Sequence, residues 1–205
     1  MQNRVMRGSA FLMTLLIPAG CSDKPTAPST SSTPVTQELQ RLYDADQNEP
    51  YPTNVPADPK EKVAFFTALW NERFKPRYDQ VLQLIREDRL SSADDYYIAG
   101  MIMNHGIKPK DNLLAHALFT VAAFKNHPDT KWASAAALDN YLAGIDKPQL
   151  FGTVYGEHRQ VTTDLMTDPL RRQFCVPSLS EQQRLADLRR KGKSAAFDRG
   201  KIQCP

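Results

Sequence analysis

Few side chains in this chain can move a proton or grip a ligand. Histidine occurs at His105, His116, His127 and His158. None lies in an HExxH pair, and Cys21, Cys175 and Cys204 form no CxxC. There is no Gly-rich phosphate loop and no GxSxG elbow. Without zinc-ligand spacing, neither a metal nor a cofactor is expected. What remains is an imidazole oriented by a carboxylate, the arrangement of general acid–base sites. Asp94, Asp95, Tyr96 and His105 fall on one predicted helix, His116 on the next and Asp139 on the third. A groove where His105 or His116 meets Asp139 would be such a site, with Thr120 one turn beyond His116. The loop "DKPQLFGT" (146–153) is a second candidate ligand site. There Lys147, Gln149 and Thr153 offer polar groups beside the stiff Pro148 and the permissive Gly152. The structural alternative gives Asp94 a capping role, His116 a core hydrogen bond and Asp139 an ion pair. The loop is then a helix exit.

These residues need helices to position them. Asp58, Pro59 and Glu61 form a helix start, with Val63, Phe66 and Trp70 on one stripe and Pro76 expected to interrupt or kink it. Tyr78, Val81, Leu82 and Ile85 mark the next helix, and 36–45 a short earlier one. In "SSADDYYIAGMIMNHG" (91–106) Ser91 can cap with Asp94, and Gly106 suits the closing turn. Tyr96, Ala99, Ile102 and Met103 share its face, and Ala99 and Gly100 allow a close neighbour. In 111–127 the stripe is Leu114, Ala117, Leu118, Val121 and Phe124; in 129–145 it is Ala135, Leu138, Leu142 and Ile145. Short turns make these three helices antiparallel. Only "QLFGTVYG" (149–156) reads as extended. Ser178 and Glu181 open a last helix with Leu185 and Leu188 on its edge. The fold class is all-α, with stacked, loosely tetratricopeptide-like hairpins, although no clean second copy appears at that period.

The first 36 residues differ in character. Arg4 and Arg7 precede the apolar "AFLMTLLI" (10–17), which has the length of a signal-peptide core and is short for a membrane span. Ala19, Gly20 and Cys21 follow, and this resembles the lipobox of bacterial lipoproteins, with Pro18 where leucine is usual. The resemblance implies a signal peptide over 1–20, lipidation of Cys21 and a cell-envelope location. With Ser22 after the cysteine, it implies the periplasmic face of the outer membrane. The Ser/Thr/Pro-rich run reaching residue 36 buries too little surface to order and is expected to be a disordered tether to a helical domain over 37–205. With Cys21 lipidated, Cys175 and Cys204 are left to pair in an oxidising compartment. That disulfide would contribute about 3–4 kcal/mol through loop-closure entropy.

Charge narrows the partners. The formal net charge of +3 comes partly from Arg4 and Arg7. Beyond residue 20 the chain has 24 basic and 23 acidic side chains. This argues against nucleic acid, which needs clustered positive charge. The run "RRKGK" (189–193) reads as a solvated helix face.

The segments "ADDYYIAGMIMNHG", "LLAHALFTVAAFKNH", "WASAAALDNYL", "KPQLFGT" and "CVPSLSEQQRL" follow one another over roughly 60–190. In that order they resemble an uncharacterised bacterial family, a domain of unknown function. The resemblance implies a glycine before Lys147-Pro148-Gln149, where this chain has Asp146; it implies no activity. The expected function is a membrane-tethered helical module that binds a protein or another envelope component in the groove of its stacked helices. The alternative is a hydrolase-like or small-ligand-binding envelope protein using His116, Asp139 and the 146–153 loop.

Overall fold

Thr33 opens the first helix by accepting the backbone N–H of Thr36, with Pro34 supplying a pre-set φ. The computed structural model describes residues 33–50, 52–128, 130–154, 160–162, 164–191 and 204. The expected signal peptide, Cys21, the tether up to residue 32 and His158 lie outside the described residues. Helix α1 (Pro34–Gln47) leads to α2 (Pro59–Leu69), a π-helical turn (Trp70–Phe74) and α3 (Lys75–Arg86). Then come α4 (Ala93–Asn104), α5 (Pro109–Phe124), α6 (Thr130–Gly144), α7 (Asp168–Gln173) and α8 (Leu179–Arg190). The architecture is all-helical, as expected. Of the segment expected to be extended, 149–156, only Gln149 forms a bridge, with Val161; 150–154 are bends and irregular chain, and 155 and 156 lie outside the described residues.

Pro76 does not interrupt the helix. A proline ring clashes with the carbonyl four residues back and donates no N–H. Here that carbonyl belongs to Glu72, inside the widened π turn, where Lys75 bonds back to Trp70 instead. The chain passes from α2 through the π turn into α3 with no break in helical structure. Asp58 caps α2 through the N–H groups of Lys60 and Glu61, as the sequence indicated. The expected stripe on α2 is only partly covered: Phe66 and Trp70 are half-buried. α2 buries no residue, and Val63 is 68% exposed.

α4, α5 and α6 form the stacked layer. The face of α5 differs from the expected one. Asp111, Ala115, Leu118, Phe119 and Ala122 are buried, while Ala117 is exposed and Phe124 is 84% exposed. The sequence LLAHALFTVAAF is apolar on several faces, so periodicity alone leaves the rotation open. Contact with α4 fixes it. A Cβ on Gly100 would stand 2.7 Å from the Phe119 ring, so only glycine admits this approach. α6 is likewise buried beyond its expected stripe. Ala133 and Ala137 join the main core, and Ala135 joins a second cluster with Phe151, Met166 and Val176. Ile145 is exposed, since α6 lies between these clusters and its last turn leaves both.

α1 packs parallel to α4 and is clasped to it at both ends. Thr36 Oγ1 donates to Asp95 Oδ1 at 2.8 Å, and His105 Nδ1 lies 2.8 Å from Asp46 Oδ2. The spacing between the two α1 residues equals that between the two α4 residues. The α4 cap is Ser92 with Asp95, one residue later than the Ser91–Asp94 reading. Both pairs satisfy the pattern, and burial selects the second: Asp95 is fully buried, while the Asp94 side chain is exposed. Burial by itself raises the Asp95 pKa. Hydrogen bonds from the N–H groups of Ser92 and Ser91 and from Thr36 outweigh it and hold the carboxyl below its usual range. Stability from this group is therefore present above the unfolded carboxyl pKa of about 4 and is lost as pH falls through the lower folded value. Asp95→Asn should cost about 1–2 kcal/mol at pH 7. It should also shrink the acid-side fall of Tm, measured by circular dichroism between pH 7 and pH 2. An unchanged acid limb would remove this role.

The segment after α6 exits through Asp146 at φ 54°, with Lys147 N–H returning to the Leu142 carbonyl at 2.8 Å. This is the left-handed turn that a glycine would favour, and an aspartate tolerates it. The structure joins Cys175 to Cys204, with Cα atoms 5.2 Å apart.

Candidate functional site

The candidate residues separate into three places. His116 does not pair with Asp139. Its Nδ1 lies 2.9 Å from both the Ser134 carbonyl and the Ser134 hydroxyl. A carbonyl only accepts, so Nδ1 carries the hydrogen and cannot take a proton from that hydroxyl. Thr120 Oγ1 donates to the His116 carbonyl and lies 3.2 Å from Ser134 Oγ. The contact between α5 and α6 is lined by alanine and packed.

Asp139 and the 146–153 loop do meet. Fully buried, the Asp139 carboxylate accepts from the backbone N–H of Leu150 at 2.8 Å, Phe151 at 3.0 Å and Thr153 at 2.8 Å. It also accepts from the Thr153 hydroxyl at 2.7 Å. The partner expected for this carboxylate is therefore loop backbone, not a cation. Gln149 spends its amide on Val154, accepting its N–H at 2.7 Å and donating to its carbonyl at 3.0 Å. Lys147 is exposed. From the other side, Arg171, 1% exposed, donates to the carbonyls of Phe151, Leu150 and Met166. Gln182 donates to the Phe151 carbonyl at 2.9 Å. Gly152, at φ 81°, has no room for a Cβ, which would stand 2.4 Å from Gln182 Oε1. These groups fill one another's hydrogen-bonding capacity and fasten the loop to α6.

His105 stands in an open groove. Its apolar wall is Phe66, Leu69, Trp70, Phe74 and Ile107, and its volume is about 470 Å³. Asp46, Gln47 and Glu49 form the polar end with His105. α1 ends here, the π turn turns its aromatics inward, and the α4–α5 turn closes the side. Trp70 Nε1 donates to the His105 carbonyl at 3.2 Å, and the Phe74 ring meets the imidazole edge-on at 6.2 Å. Asp46 accepts from His105 Nδ1 and, at 2.9 Å, from Gln47. Arg77 lies 3.8 Å from Asp46 and 3.2 Å from Glu49, and Arg73 lies 2.8 Å from Glu49. Each acid in the groove thus has a cationic neighbour. The carboxylate fixes the hydrogen on Nδ1, which leaves Nε2 as the ring nitrogen open to a ligand.

Among the groove residues no serine, threonine or cysteine supplies a nucleophile. Among the described residues no group of three His, Cys, Asp or Glu side chains is placed to hold a metal ion. No described helix is long and apolar enough to cross a membrane. Sequence reading found His105 but missed Asp46, Trp70 and Phe74 as its neighbours. The only local signal was an aspartate at the end of an amphipathic helix. No protein-family model matches the chain, and no curated protein or solved structure matches it.

Proposed function

We propose that this is a lipid-anchored cell-envelope protein whose helical domain binds an envelope component in the His105 groove. The anchor is Cys21, at the periplasmic face of the outer membrane, and the tether is the part of the expected run to residue 36 that precedes Thr33, because residues 34–36 form the first turn of α1. The lipobox-like sequence, the Ser/Thr/Pro run and the near-neutral charge beyond residue 20 support this reading. Resemblance to the uncharacterised bacterial family is compatible with it and adds no activity. The observation that carries the binding role is the groove itself. It stays open and apolar, whereas His116 and Asp139, expected to meet in a groove, each have other partners.

Two measurements test the reading. Palmitate labelling in cells should be present in the natural chain and absent in Cys21→Ala. A photocrosslinking residue at Ile107, 58% exposed on the groove wall, should give a discrete adduct. The same residue at Ala117, exposed on α5, should not. An unlabelled natural chain removes the anchor, and equal adducts at both positions remove the groove.

A further inference from the structure

We propose that the His105 groove takes a small uncharged amphiphile: an apolar body carrying one hydroxyl-type donor, which His105 Nε2 accepts. This rests on the groove being the binding face and adds the chemistry of the occupant.

Three observations select that class. The volume of about 470 Å³ falls in the range of small-molecule sites, and the wall is aromatic and aliphatic. Next, the charges at the polar end are already matched. Two carboxylates meet two guanidiniums: Asp46 lies 3.8 Å from Arg77, whose buried Nε makes no hydrogen bond, and Glu49 faces Arg73 and Arg77. A charged head entering there would be desolvated without a free counter-charge. Lastly, the Asp46 carboxylate fixes the tautomer of the imidazole whenever the ring is neutral. The Asp46 side chain is 1% exposed and accepts from Nδ1 at 2.8 Å, while the His105 side chain is 41% exposed. Nε2 then carries a lone pair, and its complement is an O–H or N–H donor. The orienting carboxylate also makes Nε2 a better acceptor.

The test uses a matched pair of probes, 4-butylphenol and 4-butylanisole, which share the apolar body and differ in the donor. The full chain bearing Cys21→Ser is labelled with [15N]tryptophan. It has two tryptophans, so the indole N–H signals of Trp70, in the groove, and Trp132, outside it, serve as reporter and control. The phenol should shift the Trp70 signal to saturation, leave Trp132 unmoved and bind about ten-fold more tightly than the anisole. His105→Phe should bring the phenol to the affinity of the anisole. Because that change also releases Asp46, Ile107→Glu is the second variant. It should weaken both probes with an unchanged circular dichroism melt.

Equal affinities for the two probes would remove the donor–acceptor contact. Neither probe moving Trp70, or both tryptophans shifting alike, would overturn the proposal. So would a neutral apolar peptide that shifts Trp70 where the phenol does not. Adducts at Ile107 in cells are an independent readout, so the binding face and the class of occupant can fail separately.

Discussion

Asp139→Ala removes about 4–5 kcal/mol of folding stability, a loss reserved for buried groups with many dependants. Three backbone N–H groups and one hydroxyl lose their acceptor together. A buried donor left unsatisfied costs about 1–3 kcal/mol, and the full sum is not reached because the loop relaxes and admits water. Asp139→Asn keeps the shape but turns an NH2 toward donors, and it should lose about 2–3 kcal/mol. Urea unfolding gives the loss. Hydrogen exchange should show protection falling at Leu150, Phe151 and Thr153 before it falls in α4. A loss under about 1.5 kcal/mol for the alanine variant would mean that the loop is held elsewhere.

Arg171→Met removes about 3–5 kcal/mol. Replacing a buried ion pair by apolar residues is often harmless, because both partners can be replaced. Here the partners are mainly main-chain carbonyls of Leu150, Phe151 and Met166, which no substitution removes. Asp139 holds the N–H groups of Leu150 and Phe151 while Arg171 holds their carbonyls, so both variants release one segment. The double variant should therefore lose less than the sum of the singles by about 1–3 kcal/mol. Additive losses from the double-mutant cycle would show two independent fastenings. In both single variants the Trp70 groove should keep its probe affinity at temperatures below the first unfolding step, because neither residue lines it.

Both of these residues had some sequence signal, and its limits were physical. Asp139 stood out as a carboxylate within an alanine-rich helix. Its acceptor role stayed hidden because main-chain N–H groups look the same at every position and leave no side-chain signature. Arg171 carried no signal at all, since a buried arginine and a solvated one have the same neighbours in sequence. His105 was a candidate, but its carboxylate was sought on α6 and is on α1. The two meet only because α1 lies parallel to α4 with matched spacing between their clasping pairs. The choice between Ser91–Asp94 and Ser92–Asp95 was decided by which aspartate the α1 contact buries.

The sequence by itself determined the local elements. Caps such as Asp58–Pro59, prolines at helix starts, turns after α4 and α6, and dense apolar residues are interactions among near neighbours, and they specify helices and their ends. It also determined the unlike character of the first 36 residues and the near-neutral charge of the rest. The tertiary structure alone decided which face of α5 is buried, how Pro76 is absorbed and where Asp139 finds its donors. It also decided that Asp46, Trp70 and His105 share a groove. The reason is that rotation of an almost wholly apolar helix, and pairing between distant polar groups, are set by packing, and packing depends on residues far apart in the chain.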